Sequence, residues 1–163
     1  GARLAKAARI VAVDRDANRL ALARRMGATH TLAAADDLLH AHAELTAGRG
    51  ADYVFEAAGN QAAFRSSVEI VRPGGQVVWL GKLPVGQEVA FRWGSLMGEK
   101  KIVRSSYGGA TPASDFPMLV NAYLAGDLLL DDYVTSRITL EDVNDGFARL
   151  KQGLEIRSVI AFA

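Results

Sequence analysis

The 163-residue chain is 50% hydrophobic and 23% charged, with a formal net charge of +1, as in an ordinary soluble globular domain. Near-neutrality gives no electrostatic case for binding nucleic acid or an anionic membrane; no apolar run approaches the ~20 residues that span a bilayer, and no leader-like apolar core opens the chain, so the cytoplasm is the expected compartment. The absence of cysteine excludes disulfides and thiolate metal ligands from this chain.

In chain order, strand-like and helix-like segments alternate. Residues 1–8 read as the tail of a helix. Residues 9–13 (RIVAV) form a short β-branched run. Residues 18–26 (NRLALARRM) have helical composition and stop at Gly27. Residues 30–32 are a short strand candidate. Residues 36–47 read as a helix whose first turn carries the carboxylates of Asp36 and Asp37, the sign that suits a helix N-terminus. ADYVFE (51–56) reads as a strand, 61–71 as a helix ended by a Pro73-Gly74-Gly75 turn, QVVWL (76–80) as a strand running into Gly81, and KIVRS (101–105) as another strand. Strands separated by helices imply βαβ units and a parallel sheet. The expected fold is therefore α/β, a doubly wound, Rossmann-type parallel sheet.

Beyond residue 108 the pattern changes. Phe116, Leu119, Val120, Tyr123 and Leu124 recur at helical spacing and Gly126 is the expected stop. Residues 141–152 repeat the pattern, with Val143, Phe147 and Leu150 as the expected buried stripe, and the chain closes on a strand at 158–162 (SVIAF). The expected organisation is a dinucleotide-binding domain over 1–108 and a helix-helix-strand segment over 109–163.

Asp14 is the most informative position. It follows RIVAV where the chain turns into the next helix. An acid there accepts hydrogen bonds from the adenosine ribose hydroxyls of a dinucleotide and repels a 2′-phosphate, favouring NAD over NADP. Two readings stand: ribose acid, or N-cap of the following helix, with Asp16 a competitor for the cap. The G-x-G-x-x-G loop that accompanies such an acid belongs about 20 residues upstream, and only thirteen residues precede Asp14. The sequence thus reads as truncated before the first, normally central strand, whose neighbours are expected to show unpaired edges.

Five segments, ARIVAVDRDANRLALARRMGATHTL, GRGADYVFEAAGN, VRPGGQVVWLGKLP, EKKIVRSSYGG and NDGFARLKQGLEIRSVIAF, resemble in order the coenzyme domain of zinc-dependent, medium-chain alcohol dehydrogenases, nearest the glutathione-linked formaldehyde dehydrogenase-like branch. The resemblance implies an NAD-dependent oxidoreductase moving a hydride between an alcohol or aldehyde and nicotinamide, with zinc polarising the alcohol oxygen. It matches Asp14 to the ribose acid and Arg19 to the basic residue beside that ribose. Ala57, Ala58 and Asn60 match the loop flanking the adenosine; Leu80, Gly81 and Lys82 match the turn meeting the nicotinamide carboxamide. Ser105 and Tyr107 match further backbone contacts to that group, and Arg157 matches the arginine that reaches the pyrophosphate. Each has a plainer alternative: Arg19 and Arg157 as surface charges, Gly81 as a simple turn, Tyr107 as core. Asn60, Lys82 and Arg104 depart from the family's pattern.

The zinc ligands of the family lie in a catalytic domain preceding this segment, and none is expected here. His40 and His42, two apart on a helix, point to different sides and read as surface residues; His30 reads as a strand-end or core histidine. The resemblance also implies a homodimer through the edge strand near Lys101–Arg104. This chain alone is expected to be catalytically inert. Other readings are a non-catalytic dimerisation remnant, a zinc-free reductase relative, and a methyltransferase, whose cofactor ribose also meets an acid after the second strand.

Overall fold

The computed structural model describes residues 1–35 and 37–162; Asp36, expected in a helix first turn, lies outside them. Its ladders are all parallel. β1 (Val11–Asp14) pairs with β2 (His30–Ala33). β3 (Ala51–Glu56), β4 (Val71–Trp79) and β5 (Lys101–Arg104) form a second sheet in that order. β6 (Ser136–Ile138) and β7 (Ser158–Ile160) form a third. The helices are α1 (Ala17–Arg25), α2 (Leu38–Leu45), α3 (Gln61–Ile70), α4 (Pro112–Leu124) and α5 (Val143–Lys151). Among the described residues every strand except β4 ladders on one side only.

Contacts divide the chain into two compact units. One comprises Val11–Leu20 and His30–Ala110; the other comprises Gly1–Ile10, Ala21–Thr29 and Thr111–Ala163. In the first, α3 lays Phe64 and Val68 on one face of the β3–β5 sheet, where they and Val71 and Val77 are buried. Trp79 closes this core. Its indole N–H donates to Ser67 Oγ at 3.1 Å, and its ring meets Phe64 edge-on at 5.0 Å and stacks on Phe91 at 5.9 Å. On the opposite face Tyr53 and Phe55 are 63% and 60% exposed, although parallel sheets are ordinarily covered on both sides. On that face Val78, in register with Phe55, is buried, and the aromatic pair of β3 is left uncovered by the described residues.

Helix ends follow local chemistry. Gly27 and Gly126 stop α1 and α4 as expected, at φ 106° and 77°. At each, the next residue's N–H reaches back to a helix carbonyl: Ala28 to Ala23 at 2.9 Å and Asp127 to Ala122 at 2.8 Å. α2 ends in the same motif, but with Ala47 in the left-handed position at φ 51°. Residues 1–7 make one helical turn that closes similarly, Ala7 N–H donating to the Ala2 carbonyl at 3.0 Å.

Several expectations need correction. β4 begins directly after α3, at Val71, so Pro73-Gly74-Gly75 is not a separate turn. It is an irregularity inside the strand, where the register with β3 shifts between Ala51 and Tyr53. The C-terminal segment is helix-strand-helix-strand: the short β6 was not anticipated, and it pairs in parallel with the last strand. The stripe on α5 is not buried. Gly146 is the residue enclosed, lying against Ile138, while Phe147 and Leu150 are exposed. A two-stranded sheet is too narrow to cover the whole apolar face of the helix. His42 is buried rather than superficial; it faces a cavity of about 150 Å³ that Glu69 of α3 also lines.

Candidate functional site

The residues singled out in the first unit gather at the C-terminal ends of its strands. β1 ends on Asp14, which pairs with Ala33. Asp14 Oδ1 accepts the N–H of Asp16 at 2.9 Å. The helix cap itself is Asp16: its Oδ1 accepts from Asn18 N at 2.7 Å and from Arg19 N at 3.2 Å. The two aspartates therefore divide the work, and Asp14 retains a carboxylate oxygen with no partner among the described residues. Arg19, in the first turn of α1, is half-buried, and its Nε is enclosed without a hydrogen-bond partner. An enclosed donor with no acceptor carries a desolvation cost, which an incoming acceptor would relieve.

The turn after β3 is built around a residue that the sequence reading placed only as the end of a strand. Glu56 is buried. Its Oε1 accepts the N–H groups of Ala58 at 2.8 Å and Gly59 at 2.7 Å, and its carbonyl accepts Leu80 N at 2.8 Å and Gly81 N at 3.0 Å. Its Oε2 is enclosed without a hydrogen-bond partner. One glutamate thus holds two turns. The available signal was an acid closing an apolar parallel strand directly before Ala57-Ala58-Gly59.

The two turns interlock through glycines. Gly59 has φ 68°, and a Cβ there would sit 2.8 Å from the Lys82 carbonyl oxygen; a Cβ on Gly81 would sit 2.6 Å from Gly59 N and on Glu56 Oε2. Backbone therefore meets backbone, with Gly81 buried and Ala57, Ala58 and Lys82 exposed beside it. Leu80 is also exposed. The side-chain oxygen of Asn60 is engaged as the N-cap of α3, accepting Ala63 N at 3.0 Å.

Ser105 extends the β4–β5 ladder by one bond, its N–H donating to the Trp79 carbonyl at 3.1 Å, while its Oγ accepts Gly108 N at 3.2 Å. Tyr107 is 94% exposed at φ 52°, which rules out the core alternative for its side chain and places its backbone in a region unusual for a bulky residue. The structure thus brings Ala57, Ala58, Asn60, Leu80, Gly81 and Lys82 into one pair of touching turns, with Ser105 on the neighbouring strand. Arg157 belongs to the second unit, where it is exposed between α5 and β7.

Among the described residues no group of three or more His, Asp or Glu is arranged to hold a metal ion. His40 lies 3.4 Å from Glu44 on the outside of α2. No described helix is long and apolar enough to cross a membrane.

A family model described as zinc-binding dehydrogenase matches residues 1–125. The chain is 36% identical over 166 residues to S-(hydroxymethyl)glutathione dehydrogenase of Synechocystis sp., across 99% of this chain and 45% of that protein. It is 35% identical over 165 residues to the enzyme of the same name from Escherichia coli O1:K1 / APEC, with 99% and 45% covered. Among solved structures it is similar to an alcohol dehydrogenase zinc-binding domain protein from Burkholderia ambifaria (TM-score 0.92, 30% identity, 99% of this chain and 44% of that one). It is also similar to benzyl alcohol dehydrogenase from Acinetobacter calcoaceticus (TM-score 0.92, 26% identity, 99% and 45%). The chain spans less than half the length of these relatives, and by the extent of the family match it belongs to the zinc-binding dehydrogenases.

Proposed function

We propose that this chain is the coenzyme-binding portion of an NAD-dependent oxidoreductase that interconverts alcohols and aldehydes. The observation that carries this is Asp14. It ends a parallel strand with one carboxylate oxygen uncommitted, because Asp16 caps the helix in its place. The donor and acceptor set fits a dinucleotide. Asp14 would accept from the adenosine ribose hydroxyls, and the enclosed Nε of Arg19 lacks an acceptor that a ribose oxygen would supply. The interlocked glycines at 59 and 81 hold the Ala57–Ala58 and Leu80–Lys82 turns against each other, and the exposed backbone of those turns is what would meet the ligand. When bound, the nicotinamide exchanges a hydride with the substrate carbon; the chain's own residues bind and orient. Among the described residues no cluster suits a metal ion, and this chain by itself is expected to be inert.

Specificity for NAD follows from charge, since a 2′-phosphate beside Asp14 meets a like charge. Titration calorimetry with NAD and NADP tests it. NAD should bind tighter, and Asp14→Asn should narrow the difference while weakening NAD about tenfold, the scale of a hydrogen bond to a charged group. Equal affinities in the starting protein would remove the assignment, and turnover of simple alcohols by this chain would contradict its inertness. A homodimer through β5 is part of the same proposal, supported by a strand that ladders on one side only. A dimer blind to NAD would favour the alternative of a non-catalytic association module.

A further inference from the structure

Glu56 serves the two turns of the candidate site through different atoms. Its carboxylate holds the turn after β3, where Oε1 accepts the N–H groups of Ala58 at 2.8 Å and Gly59 at 2.7 Å. Its backbone carbonyl holds the turn after β4, accepting Leu80 N at 2.8 Å and Gly81 N at 3.0 Å. The turns also meet each other directly. A Cβ on Gly59 would lie 2.8 Å from the Lys82 carbonyl oxygen and 3.1 Å from Lys82 N. Glu56 is 4% exposed, and its Oε2 is enclosed over Gly81 without a hydrogen-bond partner. A carboxylate so placed is stabilised by the two N–H groups on Oε1, since a buried charge without donors is costly. Opening the turn after β3 strips the acid of both donors. Opening the turn after β4 removes the Gly81 and Lys82 backbone against which Gly59 is packed. Neither turn keeps its surroundings once the other leaves.

We propose that Glu56 joins the two turns into one conformational unit, so that residues 57–60 and 80–82 order and open together. All of them lie in the same compact unit of the chain. Close-packed backbone has few intermediate arrangements, which makes the joint opening a two-state step, in the manner of the cooperative sub-global openings that amide exchange reveals. The consequence is regulatory: a ligand that fixes either turn also fixes the other, and a ligand that touches both meets an edge formed or lost as a whole. The coupling is a property of the chain by itself, whatever the turns bind, so its loss would leave the coenzyme reading standing.

Amide exchange of the ligand-free 163-residue chain tests it. Ala58, Gly59, Leu80 and Gly81 are followed, with Val77 and Val78 of β4, a strand laddered on both sides, as the reference for global unfolding. The four turn amides should share one opening equilibrium, with protection factors agreeing to within about threefold and lying below those of Val77 and Val78. Glu56→Ala removes only the side-chain bonds to Ala58 and Gly59 and leaves the backbone carbonyl that holds Leu80 and Gly81. It should nonetheless speed exchange at all four turn amides by about tenfold or more, the scale of a lost hydrogen bond to a charged group, and at Val77 and Val78 by less. Lys82→Gly probes the reverse direction, because it loosens the turn after β4 and touches neither the Glu56 carboxylate nor its donors. It should speed exchange at Ala58 and Gly59 as much as at Leu80 and Gly81, by about threefold. It is also the variant that decides if Glu56→Ala does not unfold cooperatively. Faster exchange confined to Ala58 and Gly59 in Glu56→Ala, or to Leu80 and Gly81 in Lys82→Gly, would show two independent turns and overturn the proposal. So would unchanged exchange in Glu56→Ala, or an equal rise at Val77 and Val78, which would mean that the turns open only with the whole unit.

Discussion

Gly81 lies against the buried carboxylate of Glu56, so that any side chain at position 81 would land on Glu56 Oε2. The same Cβ would sit 2.6 Å from Gly59 N and 2.7 Å from Gly59 Cα. These are backbone and buried atoms, which cannot step aside as an exposed side chain can. Gly81→Ala is therefore expected to destabilise the protein by about 2–3 kcal/mol, the upper range for overpacking, read as a lower denaturation midpoint. A midpoint within error of the starting protein would show that the two turns are looser than the interlocked glycines imply.

Ala47 closes α2 in the left-handed region, at φ 51°. Alanine is disfavoured there by contact between its Cβ and the following carbonyl. Ala47→Gly should raise stability by about 0.5–1 kcal/mol, the left-handed penalty less the extra freedom glycine has when unfolded. Ala43→Gly, at an exposed position inside the same helix, is the control and should lower stability by about 1 kcal/mol. Equal effects at both positions would refute the conformational argument.

Burial lowers the pKa of His42 from its ordinary 6.5. Between that lowered value and 6.5 the unfolded chain binds more protons at this site than the folded one, so stability rises with pH across the window. The contribution is fully present above pH 6.5 and is lost as pH falls from there through the lowered folded-state value. Glu69, which lines the same cavity, is held by Arg92 at 2.9 Å and by Ser95. Burial on its own would raise the pKa of Glu69, and these two partners together with the charge of Lys100 more than offset it, so Glu69 stays charged through the window. Denaturation midpoints measured between about pH 7.5 and 5.5 should fall in the starting protein and fall less in His42→Leu. Parallel slopes would rule out His42 as the source.

β5 ladders only with β4 among the described residues, and Val103 on it is partly exposed. If this edge joins two chains, a charge placed there would oppose pairing. Sedimentation should show a dimer for the starting protein, and Val103→Glu should weaken it by about tenfold or more. A monomer at every concentration would remove the dimer from the proposal.

The strand-helix alternation was legible because parallel strands buried between helices read as short β-branched runs, and RIVAV, ADYVFE and QVVWL all became strands. Gly27 and Gly126 were legible as stops because left-handed closure favours glycine. β6 was not, since Ser136-Arg137-Ile138 is three residues with one apolar side chain at its end, and its strand character comes from pairing with β7. His42 was misplaced because helical spacing separates it from His40 without saying which of the two faces inward. At the site, Asp14 was visible from its place after a strand. Glu56 was not, because its importance lies in two amides and a glycine that only the folded turn brings to it.

The strand that ends on Asp14 belongs to a ladder of two strands, each four residues long. Ribbons of that size gain little from their own pairing, so amides 11–14 are expected to exchange with solvent before those of the β3–β5 sheet. A ligand gripping Asp14 would draw the corner into its ordered state. Its apparent affinity would carry the fraction of molecules in which the ribbon is formed, and its binding would show a heat-capacity decrease larger than its own contact area accounts for.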